Sequence, residues 1–124
     1  MFYGRKSGKM ETLEILVKAR EVIADPNHWT QRTYARTKSY GVTDPLAEDA
    51  IKFCALGAIY KVCGTMGLVE TMDARILLDT PAGLTNFNDG HTHQEVLALF
   101  DETIERLRQN GYTLSKVFVI FYLQ

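Results

Sequence analysis

The chain lacks the short patterns that mark the commonest mechanisms. Its 124 residues hold no Walker loop, no GxGxxG, no CxxC, no HExxH and no GxSxG. P-loop hydrolysis, dinucleotide binding, CxxC redox chemistry, zincin proteolysis and α/β-hydrolase chemistry are therefore not indicated. Long apolar runs are missing too. The longest, Val117 to Leu123, is far too short to span a bilayer. The opening MFYGRKSGKM is basic but has no apolar stretch behind it, so no signal peptide is expected. These features predict a cytoplasmic protein. Neither sign of charge dominates: the formal net charge is −1, which argues against general nucleic-acid or membrane-surface binding.

Cysteine is scarce, at two residues. Read as positions on one helix, Cys54 and Cys63 stand about 13 Å apart along its axis and on opposite sides. A disulfide needs Cα atoms within about 7 Å, so reduced thiols are expected. Apolar residues make up 46% of the chain and charged residues 23%. That composition fits one folded domain with a real core. The charge is unevenly placed. Residues 1–40 carry a net +4 and the remainder −5. The asymmetry fits an anion site in the first third and equally fits docking of one half of a protomer against another, with solvated surface charge as the plainest reading.

The chain divides into an N-terminal arm (1–9), a helical core (10–110) and a strand-like tail (111–124). A first helix is predicted from Lys9 to Ala24, with Leu13, Leu16, Ala19 and Ile23 at helical spacing and Asp25-Pro26 as its stop. Residues 28–41 have no clean period and read as irregular, with a helical turn possible near Gln31 to Ala35. A second helix is predicted from Pro45 to Gly64. Asp44 would be its N-cap, Pro45 its first residue and Gly64 its left-handed terminator. Its nearly all-round apolarity and its small residues about Gly57 predict a central helix that lets another backbone approach closely. A third helix covers Leu68 to Leu78. Asn88-Asp89-Gly90 reads as a tight turn. Thr92 to Glu95 has the form of a capping box, opening a helix that buries Val96, Leu99, Phe100, Ile104 and Leu107. Val117 to Leu123 favours a strand, with Leu84 to Phe87 and Phe2-Tyr3 as weak pairing candidates. An exposed strand so apolar would aggregate, so it is expected to be covered or to pair with a second copy. The fold class is thus mainly α: a compact bundle of about four helices around a small-residue helix, with a C-terminal strand that makes α+β possible.

Three constellations could carry chemistry. Asp89, His91 and His93 have ligand-like spacing, but the last two flank a helix start and should diverge, so no metal is expected. Cys54 beside a histidine would suit thiol catalysis only with a lowered pKa. Apolar neighbours favour packing instead. Trp29 to Tyr40 interleaves aromatic and basic residues. Arg32, Arg36 and Lys38 suit phosphate, and Trp29, Tyr34 or Tyr40 suits a base. With Asn88 and Asp89, these are the candidate ligand-binding residues. No catalytic residue and no cofactor is assigned.

The succession HWTQRTYAR, DAIKFCALGAIYKV, FND, Thr92 and EVLALFDETIE resembles a family of uncharacterised prokaryotic and phage proteins, a domain of unknown function. The shared pattern falls on Trp29, Thr30, Ala35, Arg36, Phe53, Cys54, Gly57, Ala58, Asn88, Asp89 and Thr92, within residues 10–108. His91, His93 and the tail lie outside it. The resemblance implies a mainly helical fold and a phage or mobile-element setting, hence host cytoplasm, and it supplies no catalytic residues. The function expected is a small non-catalytic binding or accessory protein that acts on a host protein or sequesters a small nucleotide. A counter-defence role is one such job. The alternatives are a small enzyme using Cys54 or Asp89 with a histidine, and a homo-oligomerisation module built on the C-terminal strand.

Overall fold

A computed structural model describes residues 8–66, 69–78 and 80–111. Five helices and a small three-stranded sheet make the described chain mainly α with some β. The strand expected at Val117 to Leu123, any oligomer built on it and the arm before Gly8 lie outside the described residues.

Helix α1 (Gly8–Val22) follows its predicted stripe, and Leu13, Leu16, Val17 and Ala19 are fully buried. Ile23, one residue past the helix end, is buried with them. A single 3-10 turn follows at Pro26–His28, capped by Asp25, whose side chain accepts the Asn27 N–H at 2.8 Å. The chain then forms β1 (Ala35–Arg36), β2 (Val42–Thr43) and β3 (Lys52–Phe53) in the order β2-β1-β3, with both pairings antiparallel. No helical turn forms over residues 31–35.

The predicted second helix begins ten residues late. Asp44 does cap, its Oδ1 accepting the Leu46 N–H at 2.7 Å, but what it caps is a turn. The chain then extends, because its backbone finds partners on the first strand and on the residue just before it. Ile51 N–H donates to the Arg36 carbonyl at 3.0 Å, and Cys54 N–H donates to that of Tyr34 at 3.1 Å. Helix α2 (Ala55–Cys63) therefore has Cys54, not Asp44, as its N-cap. The thiol sulfur accepts the Gly57 N–H at 3.3 Å, and Gly64 ends the helix at φ +72°. Both cysteines are free thiols.

α2 is central, as its composition predicts. Ala55 to Tyr60 are all buried, and the helix packs on α1, on α3 (Val69–Leu77) and on α4 (Leu84–Gly90). Gly57 is where a neighbouring backbone comes closest: a Cβ there would collide with the Tyr34 carbonyl oxygen. The loop before β1 can therefore lie directly across the start of α2. Two sequence expectations give way at α4. Leu84 to Phe87 is helical rather than extended, and Asn88-Asp89-Gly90 forms the last turn of that helix rather than a free turn. Helix α5 (His93–Gln109) opens with the expected capping box. Thr92 Oγ1 accepts the Glu95 N–H at 3.1 Å, and Glu95 Oε1 accepts the Thr92 N–H at 2.9 Å. Its buried stripe of Val96, Phe100, Ile104 and Leu107 closes the core, while Leu99 is half-buried. Arg20 of α1 grips Asp101 of α5 with two bonds, at 2.8 and 3.2 Å.

Candidate functional site

The site is assembled around Asn88, a fully buried side chain in the last turn of α4. Its Oδ1 accepts the Trp29 indole N–H at 2.8 Å and the Ala55 backbone N–H at 2.9 Å. Its Nδ2 donates to the Thr30 carbonyl at 3.0 Å and to Asp89 Oδ1 at 3.2 Å. A primary amide has two acceptor positions and two donor hydrogens, so every one is matched. The arrangement also fixes the amide's orientation, since the opposite one would set the NH2 against two donors.

Three segments far apart in sequence are thereby pinned together. Gln31 adds to the junction by spreading its Nε2 hydrogens over the carbonyls of Asn88, Asp89 and His91, at 3.1, 3.2 and 3.1 Å. These carbonyls at and just beyond the end of α4 have no partner within the helix. Asp89 Oδ1 also accepts the Arg32 backbone N–H at 2.8 Å. That bond holds Arg32 at φ +71°, a conformation costing a non-glycine residue about 1 kcal/mol.

Beside this junction opens a cavity of about 310 Å³ lined by Arg32, Thr33, Tyr34, Cys54, Thr85 and Asp89. That is at the lower end of the range for small-molecule pockets. The Tyr34 ring stands edge-on to Tyr60 with centroids 5.5 Å apart, presenting an aromatic wall. Among the described residues, the Arg32 guanidinium has no hydrogen-bond or ion-pair partner.

The other predicted site residues are placed differently. The Trp29 indole N–H is committed to Asn88, and its ring, half-buried, packs at a tilt on His93. Arg36 is spent inside the fold: Nε donates to Thr30 Oγ1 at 2.9 Å, Nη1 to the Tyr40 carbonyl at 3.0 Å and Nη2 to that of Gln31 at 3.3 Å. Lys38 is exposed in the turn between β1 and β2, away from the cavity lining. So Arg32, Tyr34 and Asp89 meet at the cavity, while Trp29, Arg36 and Asn88 build its support. Thr33, Cys54 and Thr85 are lining residues the sequence did not single out for binding. Isolated hydroxyls carry no periodic signal that would have marked them.

Cys54 stands at a helix N-terminus, not ten residues inside a helix. That position usually lowers a thiol pKa. Burial outweighs it and pushes the thiol up to about 11, against a smaller opposing contribution from the Gly57 N–H. At neutral pH the sulfur is a protonated cap rather than a nucleophile. The helix terminus is not an open anion cradle either. The N–H of Ala55 goes to Asn88, that of Gly57 to the Cys54 sulfur and that of Ala58 to the Cys54 carbonyl.

The two histidines diverge. His91 Nδ1–H donates to the Phe87 carbonyl at 2.8 Å, and its ring stacks on Phe87 at 3.8 Å. His93 Nε2–H donates to the Ile23 carbonyl at 2.6 Å. Because a carbonyl only accepts, the bonded nitrogen of each ring carries a hydrogen. No three His, Cys, Asp or Glu residues gather in a metal-holding group among the described residues. Nor is any helix there long and apolar enough to cross a membrane.

The fold and site thus define a small, mainly helical domain with a three-stranded sheet, stitched together by a buried asparagine beside a cavity. The chain belongs to DUF6197, a family of unknown function, whose model matches residues 8–106. No curated protein and no solved structure matches it.

Proposed function

We propose that the protein is a non-catalytic binding protein that holds a small phosphate-bearing ligand, of nucleotide type, in the cavity between the Arg32–Tyr34 loop and α4. The observation that carries this reading is the unpartnered Arg32 guanidinium at a cavity that also offers an aromatic wall and two threonine hydroxyls. A planar guanidinium pairs bidentately with phosphate, and an aromatic ring accepts a base face. The binding reading is favoured over catalysis because the Cys54 thiol is held protonated and both histidines are engaged by backbone carbonyls. A counter-defence setting, with the protein removing a host nucleotide, is suggested by the resemblance to phage proteins.

The test is thermal unfolding of the full chain with inorganic phosphate and with 5′-nucleoside monophosphates. A rise in Tm with the nucleotides, abolished by Arg32→Ala, supports the reading. An unmoved Tm across the whole set refutes it.

A further inference from the structure

Two opposite charges line the cavity without neutralising each other. Arg32 is tied to Asp89 through its backbone N–H alone, and among the described residues the guanidinium bonds to nothing. Asp89 is equally one-sided. Its Oδ1 accepts both the Arg32 N–H and Asn88 Nδ2, while its Oδ2 accepts no hydrogen bond from the described residues. Here the backbone holds the residues together while their charged ends stay apart. A cavity with an open carboxylate oxygen and a separate open cation fits a ligand that is a hydrogen-bond donor at one end and an anion at the other.

We infer that Asp89 is a specificity-determining residue that selects, among phosphate-bearing ligands, those whose base carries an exocyclic amino group, as in adenine and cytosine. The inference rests on the phosphate-binding reading above. The amino hydrogen donates to Oδ2 while the phosphate lies on Arg32. A keto base such as hypoxanthine or uracil has only a ring N–H to offer Oδ2, and where the amino group would stand it sets a carbonyl oxygen against the carboxylate, so two acceptors face each other at that position. A polar site left unmatched in this way discriminates strongly, more so than a missing apolar contact.

The inference is tested by calorimetric titration of the full chain with AMP against IMP, and with CMP against UMP. The amino member of each pair should bind at least about tenfold more tightly. Asp89→Asn makes the sharper variant. Its amide oxygen can keep both internal bonds now made by Oδ1, and its NH2 replaces the open Oδ2. The variant should keep the wild-type Tm and invert the preference, favouring IMP and UMP. Equal affinity for amino and keto members, lost in Arg32→Ala, would overturn the inference and leave phosphate binding standing. An unaltered preference in Asp89→Asn would overturn it too. No binding by any of the four nucleotides would remove the phosphate-binding reading and this inference together.

Discussion

Trp29 and Asn88 stand 59 positions apart and share a 2.8 Å hydrogen bond from indole N–H to amide oxygen. The same oxygen takes the Ala55 N–H at 2.9 Å, so one side chain joins the Trp29 segment to the start of α2. This junction sets one wall of the cavity against the other.

Replacing Asn88 with alanine should therefore be costly. It leaves a part-buried indole N–H, a buried backbone N–H and the buried Thr30 carbonyl without partners. Each unmatched buried group costs about 1–3 kcal/mol, and a cavity remains. A loss of about 3–5 kcal/mol in urea denaturation is expected. A loss below about 1 kcal/mol would mean that water or a rearrangement takes over the bonds.

Arg32 separates binding from stability. At φ +71° it occupies backbone space natural to glycine. Arg32→Gly should stabilise the chain slightly, by up to about 0.5 kcal/mol, because relief of the left-handed strain exceeds the added entropy of the unfolded chain. The same change removes the guanidinium and should abolish ligand binding. A higher Tm with lost binding is the expected pair of results. Retained binding would show that Arg32 does not hold the ligand.

The Cys54 thiol gives a pH dependence with a definite sign. An unfolded chain releases this proton near the usual thiol value of 9.0, whereas the folded chain keeps it until about 11. Between those values the unfolded state binds fewer protons, so rising pH favours unfolding. Cys54→Ser keeps a side-chain cap on Gly57 and removes the titration. Between pH 8 and 10.5 the wild type should lose about 1–2 kcal/mol more than Cys54→Ser. Tyr60, raised chiefly by burial, titrates in both proteins and largely cancels, Cys54 being only the last and smallest contributor to its shift. At pH 7 the native thiol should react with iodoacetamide more slowly than a free thiol, and reaction at the free-thiol rate would contradict the buried placement.

The parts legible in the sequence are those whose signals are local. The α1 stripe, the Thr92 capping box and the left-handed Gly64 are each decided within a few residues, and each stands where its pattern placed it. The start of α2 was not legible. Asp44 and Pro45 send a true local signal, but the sheet partner of Lys52 and Phe53 lies about 17 positions upstream, in Ala35 and Arg36. Two-residue strands are also too short to show alternation. Asn88-Asp89-Gly90 has turn chemistry, yet the Gln31 amide satisfies the carbonyls at the helix end and lets that segment complete α4.

The candidate site divides the same way. Arg32, Tyr34 and Asp89 were visible from their chemistry. That Arg36 would be consumed by Thr30, Tyr40 and Gln31 depends on a loop path that no spacing reveals. The participation of Thr33, Thr85 and Cys54 depends on the Asn88 junction, which exists only in three dimensions.

The most direct test of ligand binding in this cavity is a titration of isotope-labelled protein with AMP, followed by amide chemical shifts. The amides of Arg32, Thr33, Tyr34, Thr85 and Asp89 should move together along one saturating curve. Those of Lys18, Glu21 and Lys61, which line a separate surface depression, should stay in place. Saturable shifts confined to the second group, or none at all, would contradict the cavity as the ligand site.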